Sequence, residues 1–293
     1  MDSVVVVGSV DGAQRAAVGA LLGAAAGADG KAAVSEQGRL ALRGPREGVR
    51  HLLQYGGDGD ALVGYGQVDA SETAELVVDP ARRGEGHGRT LAEAVLKEGA
   101  RQAWAHGGHP AARHLADRLG LELVRELRQM RRSLPAADAE TPPQLPEGVE
   151  LRTFVPGVDD DAWLALNAAA FAHHPEQGGW TSQDLRDRIA EPWFDPNGFF
   201  LAVRGDELVG FHWTKVENDL GEVYVIGVSP TEQGNGLGRA LTAVGLRHLA
   251  RDRGLRTVLL YVDADNPAAV RVYERLGFTI HEVDLMYALP GTP

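Results

Sequence analysis

Short apolar runs alternate with segments of helical periodicity along most of the chain, and this alternation predicts an α/β protein. In the second half, a run beginning at Phe199 and another beginning at Leu208 flank the turn residues Arg204, Gly205 and Asp206, which predicts a β-hairpin. The strands predicted in this half are Phe199–Val203, Leu208–Trp213, Glu222–Val228, Thr257–Val262 and Val283–Leu289. The last of them is expected to complete the sheet. A helix is expected to follow Asn266, its N-cap, and to begin at Pro267.

The first half repeats this scheme around an Ala-rich segment, Ala16–Ala28, which predicts a helix packed on a sheet. The segment is shorter than the ~20 residues needed to span a bilayer, so we expect no membrane segment. The strands predicted in this half are Val4–Val7, Val49–Tyr55, Leu62–Val68, Glu75–Val78 and Leu123–Ser133.

Two segments of the first half match two segments of the second half in the same order. Val78–Leu96 aligns with Val228–Leu246 without a gap, and His109–Leu121 matches Asn266–Phe278. Such paired matches indicate a duplicated domain. Between the copies, Ser133–Gly148 contains four prolines and no hydrophobic periodicity, which is the composition of an extended linker. The predicted organisation is an N-terminal domain at 1–134, a linker at 135–148 and a C-terminal domain at 149–293.

Composition and charge narrow the possible functions. The 293 residues are 44% apolar and 24% charged, which excludes disordered and fibrous proteins. The net charge of -12 argues against a non-specific nucleic-acid binder, so an anionic ligand must be held locally. The absence of cysteine excludes disulfides, a Cys-ligated zinc and a cysteine acyl-enzyme, and is simplest for a cytoplasmic protein. The adjacent His173 and His174 do not suggest a metal site, and we expect none.

A glycine-rich segment, Gln233–Arg239, lies between a predicted strand and a predicted helix. Its backbone amides surround the positive N-terminal end of the helix, so it can bind an anion such as a pyrophosphate. The spacing differs from that of a dinucleotide-binding turn, and the lack of a following Gly-Lys-Ser/Thr excludes a P-loop. A glycine-rich turn without a ligand is the alternative, which the duplicate at Arg83–Gly88 weakens.

In both halves, the pattern Gln/Arg-x-x-Gly-x-Gly after a strand resembles the GCN5-related N-acetyltransferase (GNAT) family. In the second half an Asn-initiated helix ending in Leu-Gly-Phe adds to the resemblance. It implies two tandem domains with mixed α/β sheets, in which the loop binds the pyrophosphate of acetyl-CoA and the preceding strand meets the thioester. The cofactor-binding residues it implies are Leu76, Val77, Val78, Arg83, Gly84, Glu85, Gly86, His87, Gly88, Ile226, Gly227, Val228, Gln233, Gly234, Asn235, Gly236, Leu237, Gly238, Arg239, Asn266, Pro267, Ala268, Ala269, Val270 and Arg271.

Three segments of the second half, Gly210–Lys215, Gly221–Val228 and Leu259–Phe278, are similar to the tandem-repeat actinobacterial acetyltransferases of mycothiol biosynthesis. This resemblance implies acetylation of the cysteinyl amine of a small molecule, Cys-GlcN-inositol, as the last step of that pathway. We expect the protein to be a monomer. The substrate-binding residues that the resemblance implies are Glu36, Glu176, Lys215, Glu222 and Tyr261.

Acetyl transfer from a thioester to an amine needs a proton acceptor for the amine and a proton donor for the departing thiolate. Glu222, at the start of the strand beside the loop, can accept a proton directly or through water. Tyr273 can offer its hydroxyl to the sulfur of CoA. The resemblance assigns the base and the acid to these two positions, and a solvated strand-end Glu and a core Tyr are the alternatives.

The two halves differ at these positions, because Glu222 aligns with Glu72 whereas Tyr273 aligns with Ala116. We therefore expect the second half to be catalytic, by direct transfer in a ternary complex, and the first half to bind acetyl-CoA without turning it over. Another small-amine or aminoglycoside-type acetyltransferase is one alternative. A non-catalytic acyl-CoA-binding sensor is the other.

Overall fold

A computed structural model of the chain describes residues 3–56, 61–174 and 176–292. The chain forms two compact units. The first comprises residues 1–128, 263–267 and 282–293, and the second comprises residues 129–262 and 268–281. Each unit therefore includes residues from both sides of the linker, and the units do not coincide residue by residue with the repeated sequence segments.

The first unit has a mixed sheet covered by helices. Its strands are β1 (Ser3–Val7), β2 (Arg50–Tyr55), β3 (Leu62–Val68), β4 (Thr73–Val78), β5 (Gln102–Ala105) and the first part of β6 (Glu122–Ser133). Its helices are α1 (Gly12–Asp29), α2 (Glu36–Ala41), α3 (His87–Lys97) and α4 (Pro110–Leu119). Strands β1 to β4 are antiparallel neighbours, whereas β4 and β5 pair in parallel. The strands and the Ala-rich helix predicted for this half are confirmed. No helix within the described ranges is long and apolar enough to cross a membrane.

The last strand of the chain, β12 (Thr279–Ala288), departs from its predicted place. The sequence predicts that it completes the sheet of the second half, but Leu285–Ala288 pair antiparallel with β5 of the first unit. That prediction is wrong. Leu285 and Tyr287 pack with Ala105 and Ala116 in a buried hydrophobic cluster, and this burial stabilises the pairing.

The second unit also has a mixed sheet. Its strands are β7 (Glu150–Thr153), β8 (Phe199–Arg204), β9 (Glu207–Glu217), β10 (Leu220–Val228) and β11 (Thr257–Asp263), with the end of β6 beside β11. Its helices are α5 (Ala136–Glu140), α6 (Asp160–Ala170), α7 (Ser182–Ile189), α8 (Leu237–Arg247) and α9 (Pro267–Arg275). Strands β7 to β10 are antiparallel neighbours, and β10 and β11 pair in parallel. The predicted hairpin is β8 and β9, and α9 begins at Pro267 as predicted.

A close contact holds α8 against the sheet of the second unit. A Cβ atom on Gly245 would lie 2.0 Å from the His212 ring, so only glycine fits where the helix crosses β9. The buried His212 ring is 2.7 Å from the Leu241 carbonyl through its Nδ1, and burial lowers its pKa to about 4. A neutral imidazole can therefore sit under α8, and this packing holds the helix close to β9.

The linker is not wholly extended, because Ala136–Glu140 form the short helix α5. Pro135 precedes it in an extended conformation, and Asp138 forms an ion pair with Arg132. The prediction of an extended linker is therefore wrong for these residues. The five residues between Pro135 and Thr141 contain no proline. They can therefore form one helical turn, which packs against α8.

Candidate active site

Strands β10 and β11 separate toward their C-terminal ends. Their ladder covers Gly221–Val223 on β10, whereas the ladder between β10 and β9 continues to Val228, with a bulge at Tyr224. Within the described part of the chain, the end of β10 therefore has a strand ladder on one edge only. Its other edge can hydrogen-bond to a ligand. Strand β4 separates from β5 in the same way, because their ladder covers Thr73 and Ala74 whereas β4 continues to Val78.

The two glycine-rich loops have the same backbone geometry. Gly234 and Gly236 have φ values of +82°, and Gly84 and Gly86 have φ values of +83° and +95°. A Cβ at these four positions would meet no atom within 4 Å, so glycine is required by the left-handed backbone and not by space. Helices α3 and α8 begin directly after Gly86 and Gly236 without a side-chain cap, which leaves their first amides available to an anion.

Glu222 and Lys215 are cross-strand partners on β10 and β9. Glu222 also pairs with Leu259 of β11, at the last part of the ladder before β10 and β11 separate. Lys215 is buried, and its Nζ lies 3.3 Å from Glu217 and 4.8 Å from the centroid of the Trp193 ring. The structure thus brings the predicted base and one predicted substrate residue side by side where the strands part.

Aromatic side chains that the sequence analysis did not single out surround this pair. Lys215 Nζ lies 5.5 Å from the ring centroid of Tyr224, the bulge residue, and Arg188 Nε donates to the Tyr224 hydroxyl at 2.8 Å. The Arg188 guanidinium in turn stacks 3.8 Å over Trp180. Two buried cations, Lys215 and Arg188, are therefore held against aromatic faces, and the first of them is the cross-strand partner of Glu222. The only sequence feature that points to these cation–aromatic contacts is the concentration of tryptophan between α6 and β9. A hydrophobic core would explain that concentration equally well.

The other predicted substrate residues lie on different elements. Tyr261 of β11 is 39% exposed, and its hydroxyl accepts a hydrogen bond from Gln129 Nε2 at 2.7 Å. Glu176 is exposed in the loop after α6. Glu36 is half-buried in the first turn of α2, in the first unit. The structure therefore brings Lys215 and Glu222 together. Tyr261 lies on β11, two residues after Leu259, which pairs with Glu222.

Tyr273, the predicted acid, lies on α9. Its ring packs among the hydrophobic side chains beneath the helix, with its centroid 5.9 Å from that of Phe278. Burial raises the pKa of the Tyr273 hydroxyl, which keeps the phenol protonated at neutral pH. A protonated phenol is the form that can donate a proton.

Comparison with known proteins assigns the chain to a family. The model of the acetyltransferase (GNAT) family matches residues 163–278. The mycothiol acetyltransferase of Streptomyces scabiei is 64% identical over 285 residues, covering 94% of this chain and 91% of that protein. That of Thermobispora bispora is 56% identical over 283 residues, covering 92% and 94%. The chain belongs to the mycothiol acetyltransferase family. It is an acetyl-transferring enzyme, and the resemblance found in its motifs is confirmed.

Solved structures confirm the fold class, two tandem GNAT domains with mixed α/β sheets. A tandem GNAT protein from the clavulanic acid biosynthesis pathway aligns with a TM-score of 0.73 at 19% identity, covering 100% of this chain and 99% of that chain. A GCN5-related N-acetyltransferase from Sphaerobacter thermophilus aligns with a TM-score of 0.65 at 25% identity, covering 97% and 94%. The domain boundaries drawn from the sequence remain a prediction.

The first unit contains a cavity of about 690 Å³ beside its glycine loop. Its walls come from the end of β4, the loop at 82–88, one face of α3, strand β5 and helix α4. Arg83 of the loop forms two 2.7 Å hydrogen bonds to Asp29, and these hold the pKa of the Asp29 carboxyl below its usual range. Members of the GNAT family use acetyl-CoA. The volume of this cavity is within the range of small-molecule sites.

The aligned glutamates of the two halves differ in structure. Glu222 lies within β10, but Glu72 lies in an exposed turn before β4, with φ +61° and an Arg101 contact at 3.9 Å. Ala116, the counterpart of Tyr273, is buried in α4 and has no proton to donate. The first half therefore has the glycine-rich loop without a counterpart of Tyr273, and its aligned glutamate lies outside the strand.

A network of buried charges in the first unit escaped the sequence analysis. His106 lies 2.6 Å from Glu75 and 3.1 Å from Asp284, and Lys31 lies 2.6 Å from Glu282. Burial alone would lower the pKa of His106, but its hydrogen bonds to Asp284 and Glu75 outweigh burial and raise that pKa to about 9. The imidazolium and Lys31 thus hold Glu282 and Asp284 of β12 in place within the first unit. Nothing in the spacing of these residues along the chain indicates that they meet.

Proposed function

We propose that the enzyme transfers the acetyl group of acetyl-CoA to the cysteinyl amine of Cys-GlcN-inositol, the last step of mycothiol biosynthesis. The relatives named mycothiol acetyltransferase support this substrate. The observation that carries the proposal is the position of Glu222. It lies where β10 leaves β11, on the strand that runs into the glycine loop and opposite the buried Lys215.

Acetyl-CoA would bind along the free edge of β10. The amides of Gly234–Arg239 would hold the pyrophosphate at the N-terminus of α8, and the backbone of Ile226–Val228 would hydrogen-bond the pantetheine and the thioester carbonyl. Asn266–Arg271, around the start of α9, would border the same ligand, by resemblance to the family. The acidic protein needs no cationic surface for this, because backbone dipoles supply the positive potential.

The acceptor amine attacks the thioester carbonyl, so an N–C bond forms and the C–S bond breaks. Glu222 would take one proton of the ammonium directly or through one water, and Tyr273 would donate its proton to the departing sulfur. The second proton, which the nitrogen loses as it becomes an amide, would restore the Tyr273 hydroxyl. A cysteinyl α-amine has an ordinary pKa of about 7.7 to 8.0, so a carboxylate of modest basicity suffices. The transfer would be direct, within a ternary complex, and the chain has no cysteine to form a cysteine acyl-enzyme.

The acceptor would be recognised by polar groups. Lys215 and Tyr261 would donate hydrogen bonds to its hydroxyl groups, and Glu176 would accept from them. Lys215 suits this role because its ammonium is held in place by Trp193 and Tyr224 and loses little freedom on binding.

The first half would bind a second acetyl-CoA without consuming it. Its glycine loop has the same φ values as the loop of the second half, and the 690 Å³ cavity lies beside it. The contacts would come from Leu76–Val78 and from the loop amides at Arg83–Gly88. Turnover is not expected there, because Ala116 stands where Tyr273 stands in the second half and Glu72 lies outside β4.

The test offers the purified chain acetyl-CoA with four acceptors in separate reactions, and the products are identified by mass spectrometry. We expect N-acetylation of Cys-GlcN-inositol at the cysteinyl nitrogen. Free cysteine and glucosamine-inositol should react far more slowly, because each leaves half of the polar groups of the site unpaired. A preference for an aminoglycoside, or equal rates with all fragments, would favour another small-amine acetyltransferase. Binding without release of free CoA would favour the sensor.

A further inference from the structure

The linker lies against the helix that follows the second glycine loop. Residues 137–138 and 141–144 line a cavity of about 480 Å³. The rest of its lining includes Gly236 of the loop, Arg239, Ala240 and Ala243 of α8, and Leu276 after α9. The cavity opens beside the first turn of α8, where the loop ends. A segment that joins two domains is therefore part of the surface around the second glycine loop.

A comparison of the two sequence repeats indicates which site this cavity adjoins. Five residues that line the larger cavity of the first unit align with five that line the cavity of the second: Gly86 with Gly236, Arg89 with Arg239, Thr90 with Ala240, Leu96 with Leu246, and Leu119 with Leu276. The same face of the equivalent helix thus borders a cavity in both units. This face adjoins the glycine loop, so the 480 Å³ cavity lies beside the proposed second cofactor site.

The linker is anchored on both sides of this cavity. The Leu134 amide donates to the Arg256 carbonyl at 2.8 Å, and Asp138 pairs with Arg132, whose other nitrogen donates to the Leu276 carbonyl at 2.7 Å. Toward its other end, Leu145 packs against the cluster that contains Leu237. A proline-rich segment fixed at both ends loses little further conformational freedom when a ligand lies under it.

One substitution between the repeats changes the charge that faces the cavity. In the first repeat Arg89 forms an ion pair with Glu93, one turn along α3, at 3.2 Å. In the second repeat Ala243 occupies the position of Glu93. The exposed Arg239 side chain has no ion pair within the part of the chain that the structure describes. Its guanidinium is available to an anion, in contrast to its counterpart.

We propose that the linker is part of the second acetyl-CoA site, where residues 137–138 and 141–144 form the outer wall over the phosphate-bearing nucleotide end of CoA and Ala243 leaves Arg239 without a carboxylate partner, available to a phosphate. This inference rests on the proposed function, since it names residues of that same site. It also gives the two cofactor sites different walls. The second is enclosed by the linker, whereas the first is enclosed by its own strands and helices.

The experiment measures KM for acetyl-CoA and kcat with the full-length chain, because only the site that turns over contributes to these values. Ala243→Glu restores on α8 the carboxylate that α3 has at Glu93, and Asp138→Ala removes the linker's ion pair with Arg132. We expect each change to raise KM for acetyl-CoA about five- to tenfold, the usual cost of a charge-assisted contact. The value of kcat at saturating acetyl-CoA should change by less than about twofold, since the reacting groups are untouched.

Two matched variants separate charge from bulk and from general effects on the linker. Ala243→Gln adds a side chain of similar size without charge and should raise KM less than Ala243→Glu. Glu140→Ala removes an exposed carboxylate from α5, outside the cavity, and should leave KM unchanged. Thermal unfolding of each variant shows whether it is folded.

Folded Ala243→Glu and Asp138→Ala variants that both keep the KM of the unaltered chain would overturn the inference and leave the proposed function intact. An unaltered chain that binds CoA but transfers no acetyl group would overturn the proposed function instead. In that case, calorimetric titration of the same variants with CoA decides the role of the linker, and unchanged affinities would again overturn it.

Discussion

At the scale of single residues, Glu222 is the side chain on which the proposed chemistry depends most. Glu222→Gln keeps the shape of the side chain and removes its basicity, so we expect kcat to fall by about 10²- to 10⁴-fold with little change in affinity for acetyl-CoA. Glu72→Gln is the matched control, because it alters the aligned glutamate in an exposed turn of the first unit. Steady-state kinetics with Cys-GlcN-inositol measures both. Full turnover by Glu222→Gln, with chemistry limiting the rate, would show that another group accepts the proton.

The aromatic environment of Lys215 gives a second prediction at this scale. Trp193→Leu removes the ring that lies 4.8 Å from the buried ammonium, and we expect KM for the acceptor to rise about tenfold. Glu217→Gln is the control, because Glu217 is half exposed and an exposed ion pair contributes little. The effect should appear in KM for the acceptor and not in KM for acetyl-CoA. Equal effects of the two variants would mean that Trp193 does not position Lys215.

Motifs along the chain reveal Glu222, Lys215 and Tyr273, because these residues lie within segments that resemble a family. They do not reveal Trp193 or Arg188. Trp193 lies in the loop between α7 and β8, where no periodic pattern predicts the direction in which a side chain points. Arg188 belongs to a short polar helix and would pass for a solvated cation, although it is buried against Trp180 and Tyr224. Such contacts depend on long-range packing, which a single sequence does not encode in a local pattern.

At the scale of elements, the docking of β12 on the first unit depends on the His106 network. The pKa of His106 in the folded protein, about 9, lies above its ordinary value of 6.5. The stabilisation from its imidazolium is therefore fully present below about pH 6.5 and is lost as the pH rises through about 9. This stabilisation amounts to at most about 3 kcal/mol.

The measurement is the urea midpoint of the unaltered chain and of His106→Gln at several pH values. We expect the difference between the two midpoints to be largest near pH 6 and to shrink above about pH 9, because the charged form is what distinguishes them. Comparing the two proteins at each pH cancels the titration of other groups. A difference that stays constant from pH 6 to pH 10 would mean that His106 is neutral in the folded protein.

The elements themselves are largely predictable, because alternation, helical spacing and glycine or proline at the ends report local structure. The destination of β12 is not predictable in this way. Its apolar residues fit any sheet edge, and the residues that it meets, Ala105 and His106, are far from it in the sequence. The helix α5 was likewise hidden, since its Ala-rich turn lies among prolines that favour an extended chain.

At the scale of the whole molecule, the duplication is visible in the sequence, and the structure shows what each copy has kept. Both copies keep the left-handed glycines and the separation of two parallel strands. They differ in the proton-transfer groups, in Ala243 against Glu93 and in the enclosure of the cavity by the linker. Sequence alignment alone treats Glu72 and Glu222 as equivalent, and only the fold shows that one lies in a turn and the other in a strand.

The central claim, that the second half alone transfers the acetyl group, is tested most directly by blocking one loop at a time. A β-branched residue is strongly disfavoured at the left-handed φ of Gly236 or Gly86, so Gly236→Val and Gly86→Val distort equivalent turns in the two halves. The rate of acetylation of Cys-GlcN-inositol is measured for each variant after circular dichroism has shown that it is folded. We predict that Gly236→Val abolishes turnover and that Gly86→Val retains it. Loss of turnover in Gly86→Val with retention in Gly236→Val would contradict the account.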